Sequence, residues 1–204
     1  MNSHGARQAD RFMLWIDSVG GYWVCLGDEI TLGQPSRPAM PEVPILGDLS
    51  SQHARLHRDG EGFLIEAIRE TAVDGRAVSD FDWLHDGSQI QLGSAVRLAF
   101  RRPHALSGTA RIDFVSRHHT QPSADAVLWM ADACILGPKR HSHVVCRNWT
   151  REVIVYRDGE GLFCRTPGEF TIDGRPCQGR GRISRTSRIE GDGFRLNLEP
   201  IGSE

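Results

Sequence analysis

The sequence predicts an all-β protein built as two tandem β-sandwich repeats. Three observations lead there: short apolar runs punctuated by Gly and Asp, no amphipathic helical period, and a self-match at one fixed offset. Apolar-rich runs occur at Tyr22–Leu26, Ala54–His57, Gly62–Ala67, Gln89–Leu92 and Val96–Phe100. Arg58-Asp59-Gly60-Glu61-Gly62 and its counterpart Arg157–Gly161 separate two such runs each, and Asp74-Gly75, Asp86-Gly87 and Asp173-Gly174 add further Asp-Gly signals. Asp-Gly favours hairpins because both residues tolerate positive φ.

Displaced by 99 positions, His53–Val78 lies on Glu152–Cys177 without a gap, and eight of 26 pairs are identical. They are Arg58/Arg157, Asp59/Asp158, Gly60/Gly159, Glu61/Glu160, Gly62/Gly161, Asp74/Asp173, Gly75/Gly174 and Arg76/Arg175. Upstream, Ile30–Gly33 matches Cys134–Gly137; downstream, Val96–Leu98 matches Phe194–Leu196. Three matches in one order indicate a duplication. From the N-terminus, residues 1–10 are polar and read as a tail. Residues 11–103 form the first sandwich, beginning with a hairpin in which Trp15 and Trp23 flank Gly20-Gly21. Residues 104–109 lack periodicity and read as a linker, and residues 110–204 form the second sandwich.

Composition narrows the function. Apolar residues make up 39% and charged residues 25%, with a net charge of -2, so neither a nucleic-acid nor a membrane partner is implied. No run approaches a membrane span of about 18 apolar residues. The five cysteines are irregularly spaced and no secretory leader is read, which points to a reduced cytoplasm. Lys139 is the one lysine among 24 basic residues, and the arginines are spread along the chain. Nucleophile-elbow, phosphate-loop and zinc-protease motifs are absent, so no enzyme and no cofactor is expected. His141, His143 and Cys146 lack a fourth ligand at zinc spacing, so no metal is expected either. Ser116-Arg117-His118-His119 and the arginines between Arg175 and Arg188 read as surface.

Leu32-Gly33, Ser50-Ser51-Gln52-His53, Val73-Asp74-Gly75 and Asp86-Gly87-Ser88-Gln89-Ile90-Gln91-Leu92-Gly93 follow one another in an order that resembles the forkhead-associated (FHA) family. That family is a β-sandwich whose loops at one end bind phosphothreonine peptides. The resemblance covers nearly all of residues 11–103. It implies that Ser50, and next to it Ser51, donates a hydroxyl to phosphate. By the same resemblance His53 braces the loop, and Gly33, Asp74 and Gly75 are structural at the site. A phosphothreonine brings about −1.5 to −2 charges and three acceptor oxygens, so hydroxyl and guanidinium donors are what it needs.

Two family positions differ. The arginine after the glycine is Gln34, which takes that place among the expected phosphopeptide contacts, and the family asparagine falls on Arg69 within Ile68-Arg69-Glu70. Losing a charged donor costs about 1.5–3 kcal/mol, which Arg69 or Arg37 is placed to offset. In the second repeat Trp149, Thr150 and Glu152 stand where Ser50, Ser51 and His53 do, and no phosphate site is expected. The implied function is a phosphothreonine-peptide-binding adaptor in Ser/Thr-kinase signalling, in a bacterium-like cytoplasm. The alternative is a phosphate-independent scaffold or self-associating homo-oligomer.

Overall fold

Strands occupy the runs that the turn chemistry delimits. In this computed structural model, which describes residues 11–37, 40–60, 62–159 and 161–201, no helix occurs among the described residues. The strands of the first repeat are β1 (Arg11–Ile16), β2 (Gly20–Cys25), β3 (Glu29–Gly33), β4 (Val43–Pro44), β5 (Ala54–Asp59) and β6 (Gly62–Ala67). They continue with β7 (Thr71–Val73), β8 (Arg76–Ala77), β9 (Phe81–Leu84), β10 (Gln89–Leu92) and β11 (Val96–Arg101). The second repeat adds β12 (Ala110–Phe114), β13 (Ala126–Trp129), β14 (Ala133–Gly137), β15 (Val144–Val145), β16 (Val153–Asp158), β17 (Gly161–Ile172), β18 (Arg175–Ile183), β19 (Arg188–Gly191) and β20 (Phe194–Pro200).

The 99-residue offset maps β5 onto β16 and β10 onto β19 residue for residue. It also maps β6 with β7 onto the single long β17, and β8 with β9 onto β18. Asp74 and Gly75 adopt φ of 51° and 79°, Asp173 and Gly174 of 53° and 76°. Each pair therefore closes a hairpin with both central residues in the left-handed region, as expected of Asp-Gly.

One five-stranded sheet, in the order β4-β3-β5-β6-β9, covers the first core. The other fifteen strands form one continuous sheet, β15-β14-β16-β17-β19-β20-β1-β2-β13-β12-β11-β10-β7-β8, with β18 beside β17. The register of β17 against β18 shifts between Arg165 and Glu169, so the first part of β17 pairs with β16 and its last part with β19. Through that bend the sheet folds over itself around the second core.

The expected division into 11–103 and 110–204 does not describe this pairing. Hairpin β1–β2 pairs with β20, the last strand of the second repeat, while β12–β13 pairs with β11, the last strand of the first. The repeats thus exchange their leading hairpins. Residues 104–109 are accordingly no free tether but the turn between the adjacent antiparallel strands β11 and β12. Thr109 is buried there, accepting from Ala131 N–H at 2.9 Å and donating to the Ala133 carbonyl at 2.7 Å.

Strands β2 and β13 meet in parallel at the junction, Tyr22 beside Ala126 through Cys25 beside Trp129. Their alternate side chains enter different cores. Met13, Trp23, Cys25, Val127 and Trp129 join the first, whereas Phe12, Leu14, Tyr22, Val24, Ala126 and Leu128 join the second. Strands buried on both faces read as continuous apolar runs, which is how Phe12–Ile16, Tyr22–Leu26 and Ala126–Met130 are written. Trp23 and Trp129 satisfy their indole N–H groups on the carbonyls of Glu42 (2.9 Å) and Gly27 (2.7 Å), as buried indoles must.

Candidate functional site

The ends of β3 and β6 and the starts of β5, β7 and β11 converge at one end of the first sandwich. Gly33 makes the convergence possible. A Cβ on it would lie 2.2 Å from the Ser51 carbonyl oxygen and 2.6 Å from that of Ser50. Any side chain would therefore push the serine loop off the sheet.

His53 ties three loops together. Its ring is buried, and Nδ1 accepts the Ser50 N–H at 3.4 Å. Nε2 lies 2.9 Å from the Glu70 carbonyl, and because a carbonyl only accepts, Nε2 carries the proton. The Glu70 carbonyl also receives the Gly93 N–H at 2.9 Å, and the His53 carbonyl receives Ile68 N–H at 3.2 Å and Arg69 N–H at 2.9 Å.

On this frame sit the expected donors. The hydroxyls of Ser50 and Ser51, both half-buried, have no hydrogen-bond partner among the described residues. Arg69 is exposed; one of its guanidinium N–H groups donates to the Ile68 carbonyl at 3.1 Å, leaving the others open. Arg37 is exposed in the β3–β4 loop and has no partner among the described residues. The Glu70 side chain is exposed on the same loop as Arg69.

Gln34 takes a different part from the one expected. Its N–H donates to the Ser50 carbonyl at 3.0 Å. Its side-chain amide, turned as its surroundings dictate, donates to the carbonyls of Gly47 (2.8 Å) and Leu49 (3.0 Å). Both amide hydrogens are spent holding the loop, and the atom left over is an acceptor, which has no use for phosphate. Asp74 and Gly75 are not at the site. They lie at the far end of β7, where the Asp74 carboxylate accepts from Gln89 N–H (2.8 Å) and Ser88 Oγ (3.2 Å). Asp173 repeats that latch on Arg188 N–H (2.8 Å) and Ser187 Oγ (3.0 Å), which marks it as a scaffold feature of both repeats.

The hairpin exchange also brings to this end the segment Ser116-Arg117-His118-His119, which spells Ser-x-x-His and reads from sequence as surface. The β12–β13 loop lies against the site: Leu46 N–H donates to the His119 carbonyl (2.9 Å) and Gln121 N–H to that of Pro44 (3.1 Å). His118 packs on Gly47, where an added Cβ would sit 3.0 Å from its ring, and its Nδ1 lies 2.8 Å from Ser116 Oγ. Arg117 is exposed between them. The Ser-x-x-His of the second repeat thus belongs spatially to the loops of the first.

In the second sandwich the equivalent loops differ in kind. Trp149, the counterpart of Ser50, is buried against Phe194 with ring centres 5.4 Å apart. Glu152, the counterpart of His53, pairs with Lys139 at 3.0 Å. Nearby, His143 and His141 do not share an environment: His141 is exposed and His143 buried. His143 accepts Ile135 N–H on Nδ1 (2.9 Å) and meets Ser107 Oγ with Nε2 (3.1 Å). Burial, reinforced by His104, pushes its pKa down to about 4.

The architecture is all-β and sandwich-like, and the loops at one end of the first core carry Ser50, Ser51 and Arg69. No family model matches the chain, and no curated protein does. Among solved structures it is similar to one described as "Rv0020c_FHA Structure", at 23% identity over 41% of this chain and 84% of that one, with a TM-score of 0.28.

Proposed function

We propose that the chain is a phosphothreonine-peptide-binding adaptor that acts through the Ser50 end of the first sandwich. One observation carries this reading. Two hydroxyls without protein partners, on Ser50 and Ser51, sit on a loop fixed by Gly33 and His53, next to an Arg69 whose backbone hangs on the same His53 carbonyl. Pre-organised hydroxyls beside an open guanidinium suit a phosphate dianion. Arg69, Arg37 and Arg117 stand in for the charge that Gln34 does not carry. Its role is binding, not catalysis, in cytoplasmic Ser/Thr-kinase signalling. An array of phosphothreonine peptides and their unphosphorylated twins tests it. Selective capture of phosphorylated members supports the reading, and equal or no capture of both sets defeats it.

A second reading, phosphate-independent self-association, is favoured by Phe81 and Trp83. Each is about half exposed (51% and 50%) on the edge strand β9. Exposed aromatics on an unpaired strand edge are a ready contact for another chain. Sedimentation at rising concentration, with and without Trp83→Lys, separates that reading from the first.

A further inference from the structure

The two repeats carry opposite electrostatics at equivalent positions of their outer sheet faces. In the first, Glu66 is neutralised on the spot, 3.3 Å from Arg55 and 2.9 Å from His57. In the second, the position of Glu66 is held by Arg165 and that of its cross-strand neighbour Phe81 by Arg180, so two arginines face each other directly across β17 and β18. Neither has an ion-pair partner among the described residues; Arg165 only approaches the Tyr156 ring, at 6.0 Å. Like charges directly opposite in a sheet are destabilising, so the pair stands at a cost that an anion would relieve.

The arginines line a groove of about 810 Å³ across the loop end of that face. Lys139 and Arg151 join them, against the single carboxylate of Glu152. Glu152 is engaged by Lys139 (3.0 Å), and Arg151 turns to the Pro167 carbonyl (2.9 Å) and Asp192 (3.4 Å). The groove therefore presents Arg165 and Arg180 uncompensated. Its remaining wall is partly apolar, from Pro138, Ile154 and Pro167. No aromatic residue is among the described residues lining the groove, so it offers no stacking platform for a nucleobase.

We infer that this groove binds an acidic, unphosphorylated peptide segment of a partner protein, with Arg165 and Arg180 taking its carboxylates and Pro138, Ile154 and Pro167 its apolar side chains. Charge complementarity selects the sign, and the mixed wall selects a peptide over a bare anion. The site lies in the repeat that lacks the serine loop, so it is independent of the phosphothreonine reading.

The test titrates the full chain with a labelled hexapeptide of alternating glutamate and valine, with the lysine–valine version and a thymidine oligonucleotide as separate arms. Glutamate–valine binding that weakens at least tenfold in Arg165→Gln/Arg180→Gln and is unchanged in Ser50→Ala supports the inference. The double variant removes a like-charge pair, so its thermal midpoint stays level or rises, which excludes misfolding as the cause. No binding, binding carried by Ser50, equal binding of the lysine peptide, or preference for the oligonucleotide would each overturn it.

Discussion

Trp23 and Val127 lie side by side in a parallel ladder and point into the same core, although they belong to different repeats. Parallel contact at this seam follows from the exchange of leading hairpins, and it makes each core depend on both ends of the chain. Phe12 packs among second-repeat residues such as Leu196 and Leu198, 180 and more positions downstream.

Cutting the chain between residues 103 and 110 is therefore expected to yield two fragments that do not fold alone, because each lacks the hairpin that completes its sheet. Circular dichroism of each fragment, and then of the mixture, checks this. In the intact chain Phe12→Ala should cost about 3–5 kcal/mol, as truncation of a buried aromatic does, and its chemical-shift changes should appear around Leu198. Fragment 11–103 folding by itself would refute the exchange.

Gly33→Ala places a methyl group inside contact distance of two carbonyl oxygens. Relief requires the serine loop to move, at about 1–3 kcal/mol. Urea melts should show that loss, and phosphopeptide affinity should fall by more than stability alone explains. Gly75→Ala, with nothing near its Cβ but a φ of 79° at the opposite end, should destabilise without touching affinity.

Much of this was legible in the residues. The ungapped match of His53–Val78 with Glu152–Cys177 covers β5 to β8 and their counterparts β16, β17 and the start of β18, and Gly33, Ser50, Ser51, His53 and Arg69 lie at one end of the first core. What was not legible depends on tertiary choice. Runs such as Phe12–Ile16 and Ala126–Met130 are apolar enough to be buried on both faces, but nothing local says which β11-like strand each hairpin joins. Asp74-Gly75 has the same turn chemistry wherever it falls along a strand, so its distance from Ser50 emerges only once β7 is laid beside β10. Whether Gln34 offers its amide outward or to Gly47 and Leu49 likewise depends on where the loop closes.

The buried His143 makes stability depend on pH. Its pKa of about 4 lies below the unfolded value near 6.5, so between those values the unfolded chain binds more protons than the folded one. The contribution is fully present above about pH 6.5 and is lost as pH falls towards 4, amounting to about 3 kcal/mol. Urea unfolding from pH 7 to pH 4 should show His143→Gln losing that much less than wild type over the interval; parallel profiles would rule out the role.

Among the five free cysteines, burial raises the thiols of Cys25, Cys134, Cys146 and Cys164 to about 12, and Cys177 is the one that is not fully buried. Thiolate is the reactive form, so a native-state thiol assay at neutral pH should register one fast equivalent, abolished in Cys177→Ser. Two or more fast equivalents would mean that the shared cores open readily.

The most direct test of the binding account follows backbone amide signals while a phosphothreonine peptide is added. Shifts should concentrate at Ser50, Ser51 and Arg69, vanish with the unphosphorylated peptide, and require at least a tenfold higher peptide concentration in Ser50→Ala, the worth of about 1.4 kcal/mol. Shifts that bypass this loop, or that persist unchanged in Ser50→Ala, would contradict it.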